Sequence, residues 1–277
     1  MEDVDGERRG NPGRLLIIGG AEDRCHGAGL LERFVEMSGG ASARIVLVTT
    51  ATGAPDEVHA DYERVFRRLG AEAAVQLPVR GRADADGPDA AKVLEDATGV
   101  FVSGGDQSRL RTLVGSQINE ILRDRLTSGD GLVVAGTSAG ATAMGRTMIL
   151  GGVGADVSAA TVRTGPGLGL IPKVLIDMHF GERGRLPRLL SAVALDPDHL
   201  GVGIDENTGI LVERDSFEVL GTGVATVADA ERATVVHAAG DDDPITLFGV
   251  RLHLLPAGCI FDFATREPTI GPAHDRY

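Results

Sequence analysis

Four stretches of the chain share one hydrophobic pattern. RLLIIGGAEDR (14–24), ARIVLVTTATGAPDE (43–57), GVFVSGGDQSRL (99–110) and GLVVAGTSAGATAM (131–144) each run from a short β-branched or Leu-rich segment into a turn of small residues. The apolar runs do not alternate strictly, which predicts strands buried on both faces. Helix-like patterns follow several of them, as in EVHADYERVFRRLGA (57–71) and QSRLRTLVGSQINEILRDRLTSG (107–129). Strands alternating with helices predict a mainly parallel sheet flanked by helices. From residue 201 the pattern changes to short apolar runs separated by Asn, Asp and Gly, as in GVGIDENTGILVERDSFEVLG. These predict hairpins, hence antiparallel additions that finish the sheet toward the C-terminus. The fold class expected is α/β, with residues 14–277 as a single domain and the polar segment 1–13 as a mobile tail.

Composition narrows the partners. The 277 residues are 43% hydrophobic, enough for a large core, but only 4% aromatic with no Trp, so a base-stacking platform for nucleic acid is not expected. A formal charge of −13 argues against broad attraction to nucleic acid or an anionic membrane surface. No segment reaches the ~18 apolar residues of a membrane span, and the polar N-terminus lacks a signal-peptide core. Two cysteines, Cys25 and Cys259, supply neither a disulfide framework nor metal-ligand spacing. They are read as reduced thiols in a cytoplasmic protein, and neither cofactor nor metal is expected.

Glycine turns are expected where ligands bind an open α/β sheet, beyond the C-terminal strand ends. Three of the turns fall there: Gly19-Gly20, Gly104-Gly105 and Gly136 to Gly140. GTSAG (136–140) fits G-x-S-x-G, in which a sharp strand-to-helix bend lifts a serine oxygen clear of the backbone. The N–H of Ala139, next in line, would open the helix and face an oxyanion. A glycine turn that only packs helix on sheet, or holds an anion, reads the same way. A nucleophilic serine also needs a base. Of seven histidines, His179 ends the apolar run of KVLIDMHFGERGRLPRLL (173–190), and GVGIDENTG (201–209) offers Asp205 and Glu206 as acids. An esterase order, Ser138 then Asp205 then His237 or His253, stays open on the residues alone. So does a non-enzymatic ligand-binding sheet.

GGAEDR, GGDQ, GTSAGA, DMHFGERGRLPRL and GVGIDENT occur in this order between Leu15 and Thr208, and together they resemble the cyanophycinase family. These are serine exopeptidases related to dipeptidase E, with a fold similar to class I glutamine amidotransferases. The resemblance implies a triad of Ser138, His179 and Glu206. It implies oxyanion donors from Gly105 or Asp106 together with Ala139. It further implies substrate contacts from Gln107, Asp177, Arg183, Arg185 and Arg188, whose guanidinium forks suit carboxylates. The family substrate is cyanophycin, a polyaspartate bearing arginine on each β-carboxyl, cleaved to β-Asp-Arg dipeptides. A homodimer is likewise implied. One departure stands out: Met178 occupies the place of a family glutamine, and a thioether lacks the donors of an amide. Glu22 and Asp23 receive no chemical step in this reading.

Overall fold

Every residue of Val133–Thr137 is buried, and the side chains divide between two cores: Val133 and Ala135 on one side, Val134 on the other. That is why these strands read as continuous apolar runs rather than as alternating ones. The computed structural model describes residues 13–25, 29–152, 156–236, 240–241 and 243–271. The expected mobile tail therefore lies, except for Gly13, outside the described residues. Gly13 itself donates its N–H to the Leu126 carbonyl at 3.2 Å.

The first half of the chain supplies β1 (Arg14–Ile18), α1 (Gly29–Met37), β2 (Arg44–Val48), α2 (Pro55–Arg68) and β3 (Ala73–Leu77). It continues through α3 (Arg82–Ala85), α4 (Pro88–Glu95), β4 (Gly99–Val102), α5 (Gln117–Thr127) and β5 (Val133–Thr137) to the four-residue α6 (Ala139–Thr142). Five strands pair in parallel in the order β1-β5-β4-β2-β3. On one face of this sheet α1 and α2 bury an aromatic cluster, Phe34, Tyr62, Phe66 and Phe101, with ring centroids 4.6–5.8 Å apart. Pairs at such spacing contribute about 0.5–1.5 kcal/mol each beyond area burial.

The second half begins with a ribbon of β6 (Thr147–Gly151) and β7 (Arg163–Pro166), then β8 (Val174–Met178), α7 (Leu186–Leu195) and β9 (Leu200–Ile204). β10 (Thr208–Glu213) and β11 (Ser216–Gly221) follow, then β12 (Val224–Asp229) and the ribbon of β13 (Thr234–Val236) and β14 (Thr246–Phe248). β15 (Arg251–Pro256), β16 (Cys259–Asp262) and β17 (Glu267–Ile270) close the chain's described strands. The antiparallel additions are present, but they do not simply extend one sheet. β10, β11, β16 and β17 add to β1 and make nine strands, whereas β8, β9, β12 and β15 form a second, four-stranded sheet. β8 and β9 pair in parallel within it. The physical reason lies in a shared core: Val174, Ile176, Val202 and Ile204 of the second sheet pack into the same buried cluster as Leu15, Ile17 and Ile210 of the first. Among the described residues no helix is long and apolar enough to cross a membrane.

Candidate active site

Three consecutive carbonyls at the end of β1 hold three distant parts of the chain. Ile18 accepts the Ser138 N–H at 3.0 Å, Gly19 accepts the His179 N–H at 2.8 Å, and Gly20 accepts the Asn207 N–H at 2.8 Å. The Gly19 N–H in turn donates to the Thr208 carbonyl at 2.9 Å. Glycine is required here by contact. A Cβ on Gly20, whose φ is +108°, would lie 2.3 Å from His179 Cε1, and one on Gly19 would lie 2.1 Å from the Asp205 carbonyl oxygen.

Ser138 sits between β5 and α6 with φ +52° and ψ −112°, a conformation costing of order 1–3 kcal/mol that persists only where its surroundings impose it. The small residues around it serve that bend. A Cβ on Gly136 would lie 2.7 Å from the Gly140 carbonyl carbon, and one on Gly140 would lie 2.2 Å from the Val102 carbonyl oxygen. His179 (φ +47°), Asn207 (φ +47°) and Ala21 (φ +48°) are strained in the same way around the same turn. Ser138 Oγ lies 2.8 Å from His179 Nε2, and His179 Nδ1 lies 2.6 Å from Glu206 Oε1. Ser138, His179 and Glu206 thus form one hydrogen-bonded chain. A neutral imidazole with its proton on Nδ1 would donate to Glu206 and accept from the serine hydroxyl.

Gly104 presses against the serine, since a Cβ on it would stand 3.3 Å from Ser138 Cβ, while Gly105 packs against the Ala51 carbonyl. Of the two N–H groups expected from this turn, that of Asp106 is committed to the Ala51 carbonyl at 2.8 Å. This removes Asp106 from the candidate oxyanion donors. Among the described residues the N–H groups of Gly105 and Ala139 have no acceptor, and Ala139 opens α6. The Asp106 carboxylate caps the following turn by accepting the Ser108 hydroxyl and N–H, bonds that hold its carboxyl below the ordinary range.

The residues expected to contact substrate divide. Arg183 is exposed, and Gln107 is half-buried with its amide donating to the Leu150 carbonyl at 2.7 Å. Asp177 is fully buried, its carboxylate gripped by Arg188 through Nε (2.8 Å) and Nη2 and approached by Arg185 Nη1 at 3.3 Å. Asp177 and Arg188 therefore face each other beneath the site and not the solvent side, because their side chains lie between β8 and α7. Burial lowers the Arg185 pKa from its usual value, against the pull of Asp177. Arg185 Nη1 also lies 2.7 Å from Met178 Sδ, so the thioether stands as an acceptor beside the base.

Glu22 is the residue that pattern reading missed. Its side chain is buried behind the serine bend, where Oε2 accepts the Thr137 hydroxyl at 2.5 Å and Oε1 accepts the Tyr62 hydroxyl at 2.5 Å and Arg24 Nη2 at 3.2 Å. Burial and the Glu22 charge push the Tyr62 hydroxyl pKa well up, which keeps it a donor. The sequence signal is a carboxylate two residues past a glycine turn with no charge step to perform. Asp205 is likewise committed to the backbone, accepting the N–H groups of Gly181 at 2.9 Å and Val224 at 3.0 Å. The esterase order thereby loses its acid. His253 lies on β15 opposite Val227, with its ring against Phe261, and His237 is outside the described residues.

A serine in a strained strand-to-helix bend over a parallel sheet, bonded to a histidine that a carboxylate holds, is the arrangement of a serine hydrolase. The chain belongs to peptidase family S51, whose family model matches residues 15–220, and it is a serine peptidase. It is 41% identical over 267 residues to a cyanophycinase of Trichormus variabilis, covering 95% of this chain and 89% of that one. A cyanophycinase of Geminocystis herdmanii is 37% identical over 262 residues, 93% and 96% of the two chains. Among solved structures, a peptidase from an acI-B1 actinobacterium superposes with a TM-score of 0.63 over 84% of this chain and 97% of that one. At 24% identity that likeness concerns the fold alone.

Proposed function

We propose that this protein hydrolyses cyanophycin, or a close β-aspartyl isopeptide, to β-Asp-Arg dipeptides through Ser138, His179 and Glu206. The observation that carries this reading is the hydrogen-bonded chain of those three side chains, at 2.8 and 2.6 Å, in a protein of family S51. His179 Nε2 takes the hydroxyl proton as Ser138 Oγ attacks the backbone carbonyl of an aspartyl unit. Glu206 steadies the imidazolium. The N–H groups of Gly105 and Ala139 receive the negative charge on the tetrahedral oxygen, and each such donor is worth ~2.7–4 kcal/mol of barrier. His179 then gives its proton to the leaving amine, which leaves an acyl-enzyme on Ser138. Water, deprotonated by the same histidine, releases the second product and restores the serine.

The choice of cyanophycin rests on the relatives named cyanophycinase and on the five ordered motifs. Arg183 and Gln107 remain on the accessible side as candidate substrate contacts. The Met178 sulfur offers Arg185 a weak acceptor but no donor, and the departure leaves the triad untouched. The homodimer implied by the resemblance and the cytoplasmic location read from the two cysteines belong to the same reading, and light scattering tests the dimer. Incubation with purified cyanophycin and with α-linked Asp-Arg peptides, followed by mass spectrometry, tests the substrate. Release of β-Asp-Arg from the polymer alone is expected, and inactivity on the polymer with intact folding would overturn it.

A further inference from the structure

Beyond the C-terminal ends of β2 and β3 lies a second cavity, of about 450 Å³, that the chemistry above does not use. It is lined by Thr50, Thr52, Asp56, Gln76, Arg80 and Arg109, among others. The loop forming its near wall is the one that supports the oxyanion turn. Ala51, between Thr50 and Thr52, accepts the Asp106 N–H, and a Cβ on Gly105 would lie 2.2 Å from the same Ala51 oxygen. In the strand order β5-β4-β2-β3 the cavity stands two to three strands from Ser138, which is about 10–15 Å at ordinary strand spacing.

Its lining carries charges of both signs. Asp56, Arg80 and Arg109 are all exposed, and among the described residues none of them forms an ion pair, although they line one cavity in a protein with 40 acidic residues. Arg109 is held in place by donating Nη1 to the Thr52 carbonyl at 2.8 Å. Gln76 leans on Thr49 (3.1 Å) and Asp56 (3.4 Å). The Thr50 hydroxyl is buried with no hydrogen-bond partner, an arrangement that structures rarely leave unexplained. A lone carboxylate beside two guanidinium groups matches a ligand that carries both a cation and an anion.

We propose that this cavity is a subsite for a further unit of the polymeric substrate, binding its zwitterionic arginyl side chain. The inference rests on the cyanophycin reading above. In that polymer each arginine is joined through its α-amine, so every side chain ends in a free carboxylate and a guanidinium. Arg80 and Arg109 take the carboxylate, and Asp56 takes the guanidinium. At about 3.5 Å per extended residue, and with the arginyl branch itself spanning part of the gap, the separation from Ser138 places this unit roughly two to four residues from the bond being cut. The subsite therefore favours long substrates over short ones.

The test compares wild type with Arg80→Ala and with the Asp56→Asn/Arg80→Ala pair on a two-unit oligomer, an eight-unit oligomer and the polymer. The loss of kcat/KM is expected to grow with length, from less than about two-fold on two units to roughly ten-fold on the polymer, through KM rather than kcat. Calorimetric binding of the uncleaved eight-unit oligomer to Ser138→Ala should weaken by a similar factor when Arg80→Ala is added. Equal losses at every length, or none, overturn the subsite while leaving the peptidase reading intact. A folded wild type that cleaves none of the three overturns the substrate reading and the subsite with it. Melting curves of the variants keep misfolding from imitating either result.

Discussion

At the residue scale, the proposed chemistry turns on side chains held in backbone conformations they would not choose. Ser138 and His179 both have positive φ, and each is tied by its N–H to the end of β1. Glu206→Gln should keep the fold and lower kcat by about 10³–10⁴-fold with little change in KM, as expected when the group orienting a catalytic imidazole loses its charge. Stopped-flow or steady-state kinetics beside an unchanged circular dichroism spectrum checks this. A fluorophosphonate probe should label Ser138 in the wild type and fail on His179→Ala, because the serine is activated by the base. The serine and the histidine stood out in the sequence at strand ends followed by small residues, whereas the choice of Glu206 over Asp205 came only from the family resemblance. Asp177 and Arg188 were expected at the substrate only through the family resemblance, and here they pair with each other. A charge pair looks the same along the chain whether it faces a pocket or an interior, and only the packing of α7 on β8 turned it inward.

At the scale of elements, the serine bend is supported from behind as well as from the side. Glu22, on the turn after β1, receives hydroxyl protons from Thr137 at the end of β5 and from Tyr62 of α2. Glu22→Gln puts an N–H₂ in place of one accepting oxygen, where it faces either the Thr137 hydroxyl or the Tyr62 hydroxyl with Arg24, and such mismatches cost about 1–3 kcal/mol. The variant should lose roughly that much stability in urea and show reduced kcat, whereas Tyr62→Phe should cost less, since Thr137 and Arg24 remain. The local sequence showed only a carboxylate without a chemical step, because GGAEDR looks like any polar turn until α2 is packed over it. The hairpin character of the last third was readable from its Asn, Asp and Gly punctuation. The alternation of those strands between two sheets was not, since it depends on which buried faces meet across the core.

At the scale of the molecule, the two sheets are joined near their far ends by a buried carboxylate. Asp229, closing β12, accepts Arg251 from β15 at 2.6 Å and Arg266 from the β16–β17 turn at 2.6 Å. Burial pushes the Asp229 carboxyl up, but hydrogen bonds from the Glu231 N–H, Arg251 and Arg266 outweigh it and hold the group below the ordinary aspartate range. A depressed folded-state value favours the ionised form, so this stabilisation is present above the unfolded pKa of about 3.9 and is lost as the pH falls through the folded value. Urea midpoints should accordingly begin to drop below about pH 5 and keep dropping as the pH falls through the folded value. In Asp229→Asn the protein should be weaker at neutral pH and lose less over that acid interval.

The turn after β1 has a consequence for anyone wishing to transplant this machinery. Ile18, Gly19 and Gly20 present their carbonyls as a single template on which the reacting groups are mounted. A graft carrying only the three reacting side chains onto another scaffold would leave their mounting behind, so the minimal portable unit includes these residues.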